Sequence, residues 1–472
     1  MARQVVEYPE NVGIIGDTGS GKTIVAILVA IALGEKTLVT APTRFLAQDH
    51  LERYRRITGS SDHAVCITGE TSADKRNWNN PDHIIVFCTA ETFWADSRNG
   101  KISDIRNFGL FVLDECHTVT GKKESVKIAA AAHQFGKRII ALSASPGDNQ
   151  EQIETIRRNC HLEKFFRLQV PMPTKFESLV SVALDKSLME IDHLFGMLTL
   201  KIVERLTSLG VTLDLDALTI KKLKEVIATE LEHQIRDSRY YEVVGAIAQA
   251  FYVRHAHFSA LTESYATFID HHRKLSSRKS RNVKSLLMLP EWRQAVKIAL
   301  EESDRHPKVS QLVDRACEWA RSNQRALVFV NNKDTGRHLE RRLTESGLRV
   351  ALIFGGKERK ILMQQKTLGD LSAGKLDLAI TTSTLEMGIS VPAVDIVSHY
   401  SLPNTEKSRI QRSGRTGRFR PGEVLFFVLD HQFDKAIYWS VRKKEKEMKR
   451  IISGRQQTRP KPKTELPLFD GI

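Results

Sequence analysis

The stretch GDTGSGKT, Gly16 to Thr23, combines the residue types that hold a phosphate chain. It follows a short β-branched run and precedes the helical run IVAILVAIAL, the context a phosphate-binding loop requires. Gly16, Gly19 and Gly21 leave the backbone open, so successive N–H groups of a loop that also contains Asp17, Thr18 and Ser20 can wrap phosphate oxygens. Lys22 is expected to reach the β and γ phosphates and Thr23 to ligate Mg2+. Glycines alone would also make an ordinary turn; the Lys-Thr pair and the strand-to-helix context favour the phosphate reading.

The apolar run GLFVLDECH ends in Asp114 and Glu115, at the edge of an open α/β sheet where ligands bind. Carboxylates at a core edge cost desolvation unless a cation or hydrogen bonds compensate them. Mg2+ is the expected compensation for Asp114. Glu115 is placed to orient and deprotonate an attacking water as a general base. A plain strand-end pair of carboxylates is the competing reading. SASPG, Ser143 to Gly147, closes another apolar strand with hydroxyls suited to bonding this acidic site. QRSGRTGR, Gln411 to Arg418, spaces three arginines among glycines, and the planar guanidinium pairs bidentately with phosphate oxygens. A basic turn that binds only a nucleic-acid backbone is the alternative there.

These groups need a scaffold. From Val12 to about Ser145 the runs VGIIG, TLVTAP, HIIVFCT, GLFVLDE and RIIALSAS alternate with helical patterns, and RALVFVN, RVALIF, LDLAITT, DIVSHY and EVLFFVL repeat that rhythm later. An α/β protein with two parallel-sheet domains follows. Between them apolar residues recur at helical spacing, which predicts an all-helical insert. The expected division is 1–173 and 303–430 for the sheet domains, 174–302 for the insert, and 431–472 for a basic terminal helix with a disordered Pro/Lys/Arg-rich tail. His255 and His257, at i,i+2, point to different sides of a helix and are read as packing or surface residues.

Lys+Arg 71 against Asp+Glu 56, a formal net charge of +15, favours a polyanionic partner through counterion release. Arg273, Lys274, Arg278, Lys279, Arg281 and Lys284 cluster in HHRKLSSRKSRNVKS, which contains no acidic residue and suits either DNA contact or a solvated surface. The 5 cysteines have no metal-ligand spacing, and no run approaches the ~18 apolar residues of a membrane span. A cytoplasmic setting without a membrane partner is expected. The basic tail is a candidate for a further protein partner.

GDTGSGKT, TAPTR, DECH, SASP, TTSTLEMGISVP and QRSGRTGR stand in the order of motifs I, Ia, II, III, V and VI of the superfamily 2 helicases, which the chain resembles. The resemblance implies two RecA-like P-loop NTPase domains with a thumb-like helical insert, and ATP as the nucleotide. It implies that Arg415 and Arg418 are arginine fingers reaching the γ-phosphate, and that Gln411 helps sense it. Thr43 and Arg44 in motif Ia and Thr382 in motif V are implied contacts to a strand backbone. The DECH box, SASPG, the insert and the segment HPKVSQLVDRACEWARSNQRALVFVNNKDTGRHLERRL are most similar to the archaeal Hef group, whose wider relatives include the FANCM, RIG-I and Dicer helicases. That likeness extends to about Leu429.

Three departures stand out. Hef carries a nuclease domain after the helicase that has no counterpart up to Ile472, so no nuclease activity is expected. Ser390 replaces the usual motif V aspartate. Gln4 is a weak candidate for the adenine-reading glutamine. The expected function is a DNA-stimulated ATPase that translocates on or remodels branched or forked duplex DNA. An RNA helicase or double-stranded-RNA-binding ATPase of RIG-I type is the alternative. A clamp with a degenerate ATPase is opposed by Lys22, Glu115 and the arginines.

Overall fold

A computed structural model describes the chain apart from residues 61, 103, 148, 172, 212–237, 355–357, 383–393, 418–420 and 453–472, and apart from the side chains of 238–239, 358–362, 365 and 452. Arg418, Ser390 and the tail after residue 452 therefore lie outside the described residues.

Seven parallel strands form the first sheet: β1 Val12–Ile15, β2 Thr37–Ala41, β3 Ala64–Ile67, β4 Ile85–Thr89, β5 Leu110–Leu113, β6 Arg138–Ser143 and β7 Lys164–Arg167, in the order β3-β4-β2-β5-β6-β1-β7. Every residue of β1, β2, β4 and β5 is buried, as continuous apolar runs between two helical layers must be. Val12 pairs with Ile140 and Leu113 with Ala141. That register brings the phosphate loop after β1, the carboxylates after β5 and SASPG after β6 to one edge.

The second sheet, in the order β10-β11-β9-β12-β13-β8, contains β8 Lys175–Val182, β9 Ala326–Phe329, β10 Val350–Ile353, β11 Leu378–Thr381, β12 Ile396–His399 and β13 Gly422–Leu429. β8 departs from the sequence expectation, which put residues from 174 onward in the helical insert. Its apolar residues Phe176, Leu179, Val180 and Val182 also fit helical spacing. Parallel pairing with β13, from Lys175 against Gly422 to Val182 against Leu429, decides for strand, and that partner lies far along the chain. The chain thus joins the second domain before it enters the insert.

The insert comprises helices Lys186–Ser208, Ser238–Phe258, Tyr265–Ser276, Arg281–Leu287 and Pro290–Glu301, with a π-helical turn at Ser259–Glu263. Phe195 meets Phe268 and Trp292 edge-to-face, with ring centroids 5.4 and 5.7 Å apart. One apolar core runs from Leu188, Phe195 and Trp292 into Val328, Ile380 and Phe427 of the second sheet. Lys308 pairs with Asp434 at 2.8 Å inside it, and Ser401 donates to Glu263 Oε2 at 2.7 Å. The first domain keeps its own core on each face of its sheet. His257 bonds Asp192 at 2.7 Å and stacks on Phe195, as a packing histidine does.

The terminal helix Gln432–Ile452 lies against β13 and then reaches the first domain, where Ser145 Oγ donates to Met448 Sδ at 3.1 Å.

Candidate nucleotide and nucleic-acid site

Gly19 and Gly21 take φ of 86° and 90°, which lets the loop curl over the start of helix Lys22–Leu33. Lys22 Nζ donates to the carbonyls of Gly16 and Asp17 at 2.8 and 2.9 Å. The hydroxyls of Thr18 and Ser20 are buried without a hydrogen-bond partner. Unmade bonds of that kind are costly, and a polyphosphate seated on the helix N-terminus would satisfy them. Burial pushes the Lys22 ammonium below its ordinary range, while the charges of Glu115, Asp114 and Asp17 act in the opposite sense. Lysine and carboxylates thus share one pocket.

Glu115 sits in the left-handed region at φ 49°, a conformation that costs a residue with a side chain backbone strain. Asp114 Oδ1 accepts from the Glu115 amide at 2.9 Å, and Asp114 Oδ2 lies 2.7 Å from His50 Nε2. Burial works to raise the Asp114 carboxyl, but the His50 bond and charge, the Glu115 amide and Lys22 together hold it below the ordinary range. Held ionised close to Lys22 of the phosphate loop, it suits a Mg2+ ligand. His117 Nδ1 stands 3.1 Å from Glu115 Oε2 and 3.3 Å from Ser143 Oγ, which in turn accepts from the Ser145 amide at 3.1 Å. His117 thus links SASPG through a hydrogen bond and stands within ion-pairing distance of the Glu115 carboxylate. Sequence reasoning missed His50 because it lies in helix Arg44–Thr58, 64 residues before its partner.

The opposite wall is helix Glu406–Ser413 and the turn after it, where Gln411 and Arg415 are buried. A Cβ on Gly414 would come within 2.5 Å of Thr18 Cβ, so this turn rests on the phosphate loop. Of the two described arginines in QRSGRTGR, Arg412 is turned into its own domain, donating to Asn331 Oδ1 at 3.0 Å. Lys407, one helical turn before Gln411, was also missed. Burial lowers its ammonium, with the Glu115 and Glu406 charges opposing that. It lines a cavity of about 480 Å³ with His117, Ser145 and Glu406.

Thr43 caps helix Arg44–Thr58 by accepting from the Leu46 amide at 3.2 Å, and Arg44 pairs with Glu70 at 3.1 Å. Thr382 is buried just after β11. Arg273, Lys274, Arg278, Lys279, Arg281 and Lys284 are all exposed, around the turn between two insert helices. Arg273 pairs with Asp270 at 2.9 Å, Lys274 with Asp334 of the second domain, and Arg278 donates to the Tyr252 hydroxyl at 2.7 Å. Exposed pairs of this sort are weak and exchange readily for phosphate. Among the described residues no cluster of three or more His, Cys, Asp or Glu is arranged to hold a metal, and no helix is long and apolar enough to cross a membrane.

Residues 2–153 match the family model of the DEAD/DEAH box helicase, and residues 307–420 that of the helicase conserved C-terminal domain. A Methanocaldococcus jannaschii protein provisionally named an ATP-dependent RNA helicase is 26% identical over 92% of this chain and 58% of its own length. The ATP-dependent DNA helicase mph1 of Neurospora crassa is 24% identical over 89% of this chain and 41% of its own. The chain thus spans about half the length of the curated relatives it matches. The crystal structure of the Pyrococcus furiosus Hef helicase domain is similar in fold, with a TM-score of 0.66 and 24% identity over 93% of this chain and 97% of that one.

Proposed function

This chain belongs to the superfamily 2 helicases, with a DEAD/DEAH box helicase domain ahead of a helicase conserved C-terminal domain, and from that premise we propose that it is an ATP-dependent DNA helicase or translocase acting on branched or forked duplex DNA. The observation that carries the reading is the seating of Gly414 on Thr18, which divides the catalytic set between two domains that meet at the nucleotide.

The loop from Gly16 to Thr23 holds the phosphate chain through its amides, Lys22 and the buried hydroxyls. Thr23 and Asp114 would hold Mg2+, which when bound would offset the charge of the phosphates. Glu115 takes the proton of the attacking water, and His117, whose Nδ1 stands 3.1 Å from its Oε2, helps to hold its orientation. Arg415 enters from the second domain, and the resemblance gives Arg418 the same role, so full turnover requires closure. Because the insert and the second domain share one core, closure carries the insert with it. Thr43, Arg44, Thr382 and the six basic residues of the insert are the proposed DNA contacts, and the tail is the proposed protein contact.

ATPase rates with single-stranded, duplex and forked DNA and with matched RNA test the reading, forked DNA being expected to stimulate most. Equal stimulation by RNA would favour the second reading, an RNA helicase, which the name of the Methanocaldococcus relative supports.

A further inference from the structure

In-line displacement puts the attacking water on the side of the γ-phosphorus opposite the leaving oxygen, and that is the side Glu115 must occupy to take its proton. The freed phosphate therefore starts its exit on the Glu115 side, while ADP still holds the phosphate loop. The cavity of about 480 Å³ that Lys407 lines lies on that side. It is walled by His117 just after the carboxylates and by Ser145 and Gly147 after β6, and none of its described lining residues belongs to the loop Gly16 to Thr23. It has room for an oxyanion together with water.

His117 is 7% exposed and turns Nδ1 toward Glu115 and Ser143, while its Nε2 is buried with no hydrogen-bond partner. A buried nitrogen left unpaired is costly. Hydrogen phosphate carries both an O–H and bare oxygens, so it satisfies Nε2 in either tautomer of the ring. Ser145 Oγ donates to the Met448 thioether at 3.1 Å, a weak acceptor for which a phosphate oxygen is the better partner. The N-terminus of helix Gln150–Asn159, with its cap Asn149, opens onto the same cavity and adds the positive end of its dipole. From the second domain comes the half-buried Lys407, whose ammonium feels the Glu115 charge. Two further carboxylates, the buried Glu406 and the exposed Glu151, also line the cavity, and their repulsion makes it a place of passage instead of tight capture.

We propose that this cavity is a product site that receives inorganic phosphate from the γ position after hydrolysis, held by His117, Ser145, the N-terminus of helix Gln150–Asn159 and Lys407. The proposal rests on the ATP-site reading and deepens it. Because Lys407 belongs to the second domain and the other groups to the first, phosphate in the cavity holds the cleft closed. Its departure frees the domains to part.

The test is isothermal titration of inorganic phosphate into the full chain saturated with ADP and Mg2+. Lys407→Ala removes one phosphate partner, and Gln152→Trp fills part of the cavity from an exposed position on the helix, where folding is not at stake. Each should raise the Kd for phosphate about tenfold or more, the scale of one charge-assisted hydrogen bond, and leave the Kd for ADP unchanged. ADP with beryllium fluoride, which fills the γ position, should bind Gln152→Trp as tightly as wild type. Unchanged phosphate affinity in both variants, an equal weakening for ADP, or a wild-type ADP complex that takes up no phosphate would overturn the proposal. So would an equal loss of beryllium fluoride binding in Gln152→Trp, which would place the phosphate at the γ position alone. A wild-type chain that binds no ADP would instead sink the ATP-site reading itself.

Discussion

Gly414 of the second domain lies so close to Thr18 of the phosphate loop that even a methyl group in place of its hydrogen would strike the threonine side chain. Glycine is needed there for close approach. The neighbouring Arg415, buried on the same turn, is the arginine proposed to reach the nucleotide.

Arg415→Ala is therefore expected to spare DNA binding without nucleotide yet abolish DNA-stimulated hydrolysis, since arginines entering such sites from a second body contribute roughly 10³-fold or more. Arg418→Ala should behave alike. Lysine should not rescue either, because a point charge cannot reproduce the bidentate fork. Paired ATPase and DNA-binding measurements decide it; weakened DNA affinity with intact turnover would make motif VI a backbone-binding turn.

Glu115→Gln should leave nucleotide binding largely intact and slow single-turnover hydrolysis by about 10²-fold or more, the usual contribution of a positioned base. Lys22→Ala should instead weaken nucleotide binding. Near-normal turnover in the first variant, or unchanged affinity in the second, would reverse these roles.

His50, 2.7 Å from Asp114 Oδ2, is expected to act through that carboxylate. His50→Ala should raise the Mg2+ concentration needed for half-maximal ATPase by about 10-fold or more, as removal of a group orienting a metal ligand does. DNA affinity without nucleotide should be unchanged. If turnover falls but the Mg2+ requirement stays put, His50 is a packing residue and its 2.7 Å approach to Asp114 is incidental.

Replacing Arg273, Lys274, Arg278, Lys279, Arg281 and Lys284 together by serine should lower DNA affinity and flatten the plot of log K against log salt by about 0.9 for each duplex phosphate that is no longer neutralised. Basal ATPase should persist. A slope equal to wild type would assign these exposed side chains to solvent.

The amino-acid sequence determines the local parts of this protein, because each depends on neighbours within a few residues. Gly16 to Thr23 has the makings of a phosphate loop wherever a strand delivers it to a helix, and β1, β5 and β9 are apolar runs too short for a helix that fit buried strands. Such patterns also disclose the two sheet domains and most of the helices between them. Tertiary structure alone decides what depends on partners distant in the chain. Residues 175–182 carry apolar spacing compatible with a helix, and only pairing with β13 makes them a strand. Nothing local distinguishes His50 from the other histidines until β5 brings Asp114 to 2.7 Å from it. Lys407 and Met448 acquire their places opposite Glu115 and beside the phosphate loop only when the second domain is laid on the first. Burial and charge at the cleft are properties of that juxtaposition, and no single segment encodes them.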